Sequence, residues 1–317
     1  MSRAPAALLA VAAAVAACGH RAPPTVAITA VPLPATTAAD RIVALLPDGA
    51  QVVVELDLAR LRANPVVGEV VRRALDDVAL STDVALPMKL PASPLAATDT
   101  VVLAAYGVGT AQAATLTLLA TTSDVPGGRR ITDGIIAIGP DAWLDQVTAR
   151  AAIAGRTPLA PARELVQLRA HAMPAGATGA AVRVTARLSF DARIALARQT
   201  GVELAPAQLS LWADVADDLA VVVDADAGRE ATPKLAAGVR GLLGELADEP
   251  VLRALGVLDS LQGARQIRQG TWVRTIVAIG PARLRRVVAR ASALLGPDAG
   301  SGAGAGSGSG AGSGGAS

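Results

Sequence analysis

The chain has 317 residues and a nearly balanced charge, with 29 Lys and Arg against 27 Asp and Glu and a formal net charge of +2. This balance argues against a dedicated nucleic-acid binder, which carries a concentrated basic face. Hydrophobic residues make up 52% of the sequence but aromatic residues only 2%, so we expect a core built from Ala, Val and Leu. The single cysteine, Cys18, excludes an internal disulfide.

The N-terminus carries a short apolar run over residues 4–18 that ends in VAAC at 15–18. Arg3 supplies positive charge before the run, and small residues precede the cysteine, as in a secretory signal peptide. The run is shorter than the roughly 20 residues that a membrane-spanning helix needs. We therefore predict that residues 1–17 are a signal peptide.

The junction VAACG at 15–19 resembles the lipobox of bacterial lipoproteins, in which a peptidase cuts before a cysteine that already bears diacylglycerol. The resemblance implies that Cys18 is lipidated and ties the mature chain to a lipid bilayer. Two acyl chains give effectively permanent anchoring, at about 0.8 kcal/mol per buried methylene. In this class a glycine after the cysteine, here Gly19, favours the outer membrane, so we expect a cell-envelope protein that faces the periplasm or the cell surface. The alternative is an ordinary signal peptide and an unlipidated chain.

Two segments predict no packed structure. Residues 18–39 are rich in Pro, Thr and Ala without helical or strand periodicity, which predicts a tether that follows the lipidated cysteine. Residues 297–317 consist of Gly, Ser and Ala after an initial Pro-Asp, which predicts a disordered C-terminal tail.

The body over residues 40–296 carries the same landmarks twice. A Pro-x-Gly-Ala phrase opens each copy at 46–51 and 173–178, and AIGP closes each copy at 137–140 and 278–281, directly before a helix. This order predicts two tandem repeats, at 40–155 and 173–296, with a connector at 156–172.

Hydrophobic patterning predicts an α+β fold, with mostly antiparallel sheets and the helices on one face. The first repeat is predicted to have strands at 51–57, 100–106, 113–121 and 131–138 and helices at 58–63, 65–79 and 140–153. The second is predicted to have strands at 180–187, 219–225, 264–269 and 271–279 and helices at 190–199, 230–247, 249–256 and 281–295. Gln269-Gly270 is expected to form a hairpin turn.

Residues with catalytic or metal-binding chemistry are scarce. Of the two histidines, His20 lies in the tether and His171 in the connector, where we expect an ordinary surface residue. No G-x-S-x-G, H-E-x-x-H, Walker or G-x-G-x-x-G motif occurs. Residues 224–228 partly match a calcium loop, but Gly228 and Leu235 stand where oxygen ligands are needed, so a solvated turn is expected. We therefore expect no catalytic residue, metal or cofactor.

One cluster of arginines lies where acidic residues are usually found. Arg283, Arg285 and Arg286 lie in the first turn of the last predicted helix, where acidic residues are preferred. Together with the helix N-terminus they predict an anion-binding or partner-binding site. The alternative is a set of solvated arginines paired with acids from elsewhere in the chain.

These observations predict a non-enzymatic envelope lipoprotein that binds another envelope protein. The turn at 46–51 and the strand after it, which ends near Asp57-Leu58, also resemble uncharacterised exported proteins of GC-rich bacteria, a resemblance that implies no activity. Two alternatives remain open. One is a carrier that holds a lipid or another apolar ligand between sheet and helices, and the other is a hydrolase with an unrecognised carboxylate site.

Overall fold

The computed structural model describes residues 37–78, 95–156, 159–200, 206–226, 228 and 232–295. The predicted signal peptide, Cys18, almost all of the predicted tether and the C-terminal tail lie outside the described residues. Within the described ranges, no helix combines the length and the apolar character that crossing a bilayer requires.

The strands of the described residues form a single ten-stranded sheet. They are β1 (Val52–Asp57), β2 (Thr98–Tyr106), β3 (Ala114–Thr121), β4 (Arg129–Thr132), β5 (Ile135–Ile138), β6 (Val182–Arg187), β7 (Gln208–Val215), β8 (Leu219–Asp226), β9 (Arg265–Gln269) and β10 (Trp272–Ile279). Their order is β4-β5-β3-β2-β1-β6-β7-β8-β10-β9, and every pairing is antiparallel. The α+β prediction is therefore confirmed, with one sheet that runs through both halves of the body.

The described part of the chain also contains ten helices. They are α1 (Ala38–Val43), α2 (Leu58–Ala63), α3 (Gly68–Val78), α4 (Asp141–Ala154), α5 (Arg163–His171), α6 (Phe190–Thr200), α7 (Thr232–Asp248), α8 (Pro250–Leu255), α9 (Leu258–Gln262) and α10 (Pro281–Leu295). The predicted bounds of α2 and α10 are confirmed to the residue. Helices α1, α5 and α9 and strand β7 were not predicted.

The helices cover both faces of the sheet, so the prediction that they gather on one face is wrong. Val101 and Leu103 of β2 pack with α2, whereas Val102 and Ala104 pack with α1 and α4. Neighbouring residues of a strand point to opposite faces. Because β2 is apolar and buried on both faces, it needs cover on both sides.

Turns follow the glycines that the sequence places between strands. The predicted strand at 131–138 is divided by Gly134, whose φ of 81° belongs to the left-handed region, into the edge hairpin β4–β5. The predicted turn at Gln269-Gly270 is confirmed, because Gln269 pairs with Trp272 across it. Only glycine adopts such a φ without steric cost.

The two halves of the sheet have the same strand order outward from the central β1–β6 pair. It reads β1-β2-β3-β5-β4 on one side and β6-β7-β8-β10-β9 on the other. Both Pro-x-Gly-Ala turns have a glycine at positive φ, 90° at Gly49 and 82° at Gly176. The closing helices differ, because α4 packs with Val102 on one face and α10 packs with Ile279 on the opposite face.

Candidate functional site

Helix α5 lies over the centre of the sheet and is fixed there by a buried ion pair. Arg169 donates from Nε and Nη2 to the two carboxylate oxygens of Glu55 on β1, each at 2.7 Å. The same Nη2 donates to Asp40 Oδ1 of α1 at 2.7 Å. Residues Glu55 and Arg169 are only 4% and 8% exposed. One guanidinium group thus joins α1, α5 and the first strand of the sheet.

The electrostatics of this group are dominated by charge pairing. Burial by itself disfavours each charged form, but the bonds from Arg169 and Thr37 outweigh burial and hold the pKa of Asp40 well below its usual range. The pKa of Arg169 is raised, because its bonds to Glu55 and Asp40 outweigh its own desolvation. Asp40 and Arg169 are therefore both charged at neutral pH.

A second polar contact fixes the C-terminal end of α5. His171 Nδ1 lies 2.8 Å from Asp224 Oδ2, and the His171 ring stacks on Trp272 with 3.8 Å between ring centroids. Arg274 donates to both oxygens of Asp224, at 2.8 and 2.6 Å, and to the His171 carbonyl at 2.8 Å. The prediction that His171 is an ordinary surface residue is therefore wrong.

Asp224 also departs from the expectation drawn from its sequence. It was expected in a solvated turn, but its side chain is 1% exposed on β8. Burial favours the protonated acid, yet the hydrogen bonds from Arg274 and His171 outweigh burial and lower the pKa of Asp224. No group of three or more His, Cys, Asp and Glu side chains in the described ranges is placed to hold a metal ion.

A cavity of about 330 Å³ lies beside α5, between that helix, strands β1 and β6, and the turn that follows α1. Its wall is largely apolar and includes Val43, Leu46, Val53, Leu165, Leu168 and Leu188. Charged residues also line it, among them Glu164 and Arg187, which form an exposed ion pair. We call this space the α5 cavity.

One of the residues that line the α5 cavity, Thr185, is polar and buried. It lies on β6, between Val53 and Ser210 of the neighbouring strands, and is 1% exposed. Its Oγ1 finds no hydrogen-bond partner among the residues that the structure describes. The neighbouring Ser210 differs, because its Oγ accepts a bond from the Ala172 N–H at 3.1 Å. A buried hydroxyl without a partner costs roughly 1–3 kcal/mol.

The turn that forms one wall of the α5 cavity is fixed by a hydrogen bond from Tyr106 of β2. The hydroxyl of Tyr106 donates to the Pro47 carbonyl at 3.1 Å, and its ring stacks on Trp143 with 4.0 Å between centroids. Burial raises the pKa of Tyr106, so this donor keeps its proton at neutral pH. Gly49, at φ 90°, lets the chain reverse before β1. The wall is therefore preformed.

A second cavity, of about 280 Å³, lies against α1, α5 and the turn that precedes β6. Its lining is more charged, with Asp40, Glu55, Asp57, Arg169 and Arg183. Desolvation lowers the pKa of Arg183, whose Nε finds no partner within the described residues. The α5 helix therefore has a largely apolar cavity and a charged cavity along its flanks.

The predicted arginine cluster is brought together only in part. Arg283 donates to Asp259 Oδ2 at 2.9 Å and to Ser260 Oγ at 3.1 Å. Arg283 and Arg286 both line a third cavity, of about 260 Å³, but Arg285 does not. The ion pair of Arg283 agrees with the alternative stated above, in which the arginines meet acids from elsewhere in the chain.

The comparisons with known proteins do not assign the chain to a family. No family model matches it, and no curated protein matches it. Among solved structures it is similar to TP0453 in its crystal form I, at 10% identity and a TM-score of 0.39, over 81% of this chain and 99% of that one. A likeness this low carries no argument about fold or function, so function has to be argued from the site itself.

Proposed function

We propose that the protein is a lipid-anchored envelope protein that binds a small, largely apolar ligand in the α5 cavity. The observation that carries this proposal is a largely apolar cavity lined in part by Thr185, whose buried hydroxyl has no hydrogen-bond partner among the described residues. Ligand sites are typically concave, mostly apolar and about 300–1,000 Å³ in volume, with a few placed polar groups. The α5 cavity has this character and lies at the lower end of that range.

The chemistry of the cavity indicates the class of ligand. Its aliphatic wall favours an alkyl or acyl segment, because burial of apolar surface stabilises a complex by about 25 cal/mol per Å². The Thr185 hydroxyl can donate and accept a hydrogen bond. A ligand with a hydroxyl, carbonyl or ether oxygen satisfies that group, whereas a pure hydrocarbon leaves it without a partner.

The placement in the envelope rests on the N-terminal sequence. The lipobox resemblance at residues 15–19 supports anchoring through acylated Cys18, and the apolar ligand class suits a protein that stays beside a membrane. Binding of a ligand takes the place of the envelope-protein partner expected from sequence. The large exposed apolar side chains of the described residues lie on four different helices, as Ile153, Val166, Phe190 and Leu294.

A non-enzymatic role is part of the proposal. The buried carboxylates of Glu55 and Asp224 and the half-buried carboxylate of Asp40 are each ion-paired with arginine. General acids and bases work best when their pKa lies near the operating pH, and the pKa values of Asp40 and Asp224 are shifted away from it. This arrangement favours a structural role for the carboxylates over the hydrolase alternative.

We also infer that the body consists of two tandem copies, as the repeated phrases predict. The matching strand order of the two halves supports this inference. The second copy then begins one helix earlier than the sequence indicated, at α5, because α1 and α5 each precede a Pro-x-Gly-Ala turn. Under this inference the α5 cavity lies at the junction of the copies.

Titration with straight-chain alcohols and alkanes of matched length tests the proposed function, with binding measured by calorimetry on the detergent-solubilised protein. We expect the alcohols to bind more tightly than the alkanes, and Thr185→Val to remove the difference. Ala50→Leu, which fills part of the cavity, is expected to abolish binding of both. Ala111→Leu is a matched control, because Ala111 is exposed and does not line the cavity. Equal binding by the wild-type protein and Ala50→Leu contradicts the proposal.

A further inference from the structure

A cleft on the opposite side of the fold from α5 concentrates positive charge. It lies between the α8–α9 segment and α10, and its volume is about 260 Å³. Four of its lining residues are arginines and one is acidic, namely Arg253, Arg283, Arg286 and Arg290 with Asp259. We call these five residues, with Gly256, the basic cleft. The excess is local, because the whole chain carries a net charge of only +2.

Half of these guanidinium groups are already paired. Arg253 binds Asp248 at 2.9 Å and Arg283 binds Asp259 at 2.9 Å. Arg286 and Arg290 form no ion pair or hydrogen bond with any residue that the structure describes. Two guanidinium groups therefore remain available in one cleft.

The backbone makes room for one of these free groups. Gly256 ends α8 in the left-handed conformation, with φ 76°. The Arg290 guanidinium lies directly where a Cβ at position 256 would be. A side chain at this position would push Arg290 out of the cleft. The absence of a side chain at Gly256 therefore lets the Arg290 guanidinium lie in the cleft.

The surroundings strengthen the positive potential. Helix α10 has 15 residues and no acidic residue in its first turn, where acids usually balance the helix dipole. Positive charges that line the same cleft repel each other, and an anion bound between them reduces this repulsion. Arginine matches the oxygens of phosphate in a bidentate geometry and is the side chain most used for such recognition.

We propose that the basic cleft binds a phosphoryl group, with Arg286 and Arg290 as its principal ligands. The group belongs either to a free phosphate or phosphomonoester or to the headgroup of a phospholipid. Both sources present the same oxyanion chemistry to the two guanidinium groups. This site is separate from the α5 cavity, and its occupancy does not depend on the function proposed for that cavity.

The test is a calorimetric titration of the full-length, detergent-solubilised protein with two probes. The probes are inorganic phosphate and a short-chain phosphatidylglycerol kept below its micelle concentration. The double variant Arg286→Gln/Arg290→Gln is expected to weaken binding roughly ten-fold or more, since each lost arginine removes charge-assisted hydrogen bonds. Arg285→Gln is the matched control, because it lies in the same turn of α10 but outside the cleft.

The outcomes separate the sources of the phosphoryl group. Binding of phosphate alone, with the expected dependence on the variants, supports a free phosphate or phosphomonoester. Binding of the phospholipid with the same dependence supports a headgroup site. Absence of binding by both probes overturns the proposal, and so does an equal loss in Arg285→Gln and the double variant. All three substituted side chains are exposed, so the variants should fold, and a circular dichroism melt checks this.

Discussion

Substitution of Arg169 by methionine tests the buried ion pair that fixes α5 to the sheet. Methionine keeps much of the aliphatic volume of arginine but removes the charge. The change leaves the carboxylates of Glu55 and Asp40 buried, with 5% and 16% of their side chains exposed, and without their principal partner. The variant therefore isolates the contribution of the guanidinium group.

The expected loss is large compared with the stability of a typical domain. Removal of one partner from a buried ion pair costs about 3–5 kcal/mol, while the free energy of unfolding of a native protein is about 5–15 kcal/mol. We expect the double variant Glu55→Gln/Arg169→Met to lose less than the sum of the single losses, because the two groups are in direct contact. Equilibrium unfolding in urea, followed by circular dichroism, measures these differences.

The pH dependence of the free energy of unfolding distinguishes lost charge pairing from lost packing. In the wild-type protein the pKa of Asp40 is lowered, so its stabilising effect is present above about pH 4, the pKa of an unfolded aspartate, and is lost as the pH falls through the folded pKa. In Arg169→Met the closest cation of the group is gone, although Thr37 still donates to Asp40 and Arg183 Nη1 still lies 3.8 Å from Glu55 Oε2. Burial of Asp40 then favours its protonated form. The variant should therefore gain stability as the pH falls from about 7 towards 4, and its deficit should shrink.

Two outcomes refute this reasoning. A loss below about 1 kcal/mol shows that the pair behaves like an exposed salt bridge. A deficit that stays constant from about pH 7 to 4 shows that the loss comes from packing and not from unpaired carboxylates.

Three further predictions concern single side chains. Thr185→Val should leave the free energy of unfolding unchanged or raise it, because it removes a hydroxyl that has no partner among the described residues. Ser210→Ala should lower the free energy of unfolding by about 1–3 kcal/mol, because it leaves the Ala172 N–H unpaired. Urea unfolding compares the two variants, and an equal loss would contradict the difference in hydrogen bonding between Thr185 and Ser210. Tyr106→Phe should lose about 0.5–1.5 kcal/mol with its bond to the Pro47 carbonyl, and an unchanged melting temperature would show that this bond is dispensable. The pKa of Asp224 is lowered, so its stabilising effect should be present above about pH 4 and be lost in acid. The loss of unfolding free energy in Asp224→Asn should therefore become smaller in acid. A loss that is independent of pH would contradict this prediction.

Local signals in the sequence were sufficient to predict most secondary structure. Helix α10 follows a Gly-Pro start, and its bounds of Pro281–Leu295 are confirmed. Helix α5 lacked such a signal, because Ala162 precedes it without a side-chain cap. Its position depends on Arg169 and His171, whose partners Glu55 and Asp224 are 114 and 53 residues away in sequence. Pairing at this distance cannot be inferred from local pattern.

The sequence of β2 contains a signal for helices on both faces of the sheet. The run TDTVVLAAY over β2 has five consecutive buried residues, and such a continuous apolar strand indicates burial on both faces. The α5 cavity had no comparable signal, because it is defined by the gap between elements that are distant in sequence. Only the packing of these elements shows that the Thr185 hydroxyl has no hydrogen-bond partner within the described part of the chain.

The central claim is tested most directly by native mass spectrometry of the full-length protein extracted in mild detergent from its own membranes. We predict a chain that starts at acylated Cys18 and carries one further, non-covalently bound small molecule. The bound mass should be absent from Ala50→Leu and present in Ala111→Leu. A wild-type protein with no additional mass, or with the same additional mass as Ala50→Leu, would contradict the ligand-binding function, and an unlipidated chain would contradict the anchor.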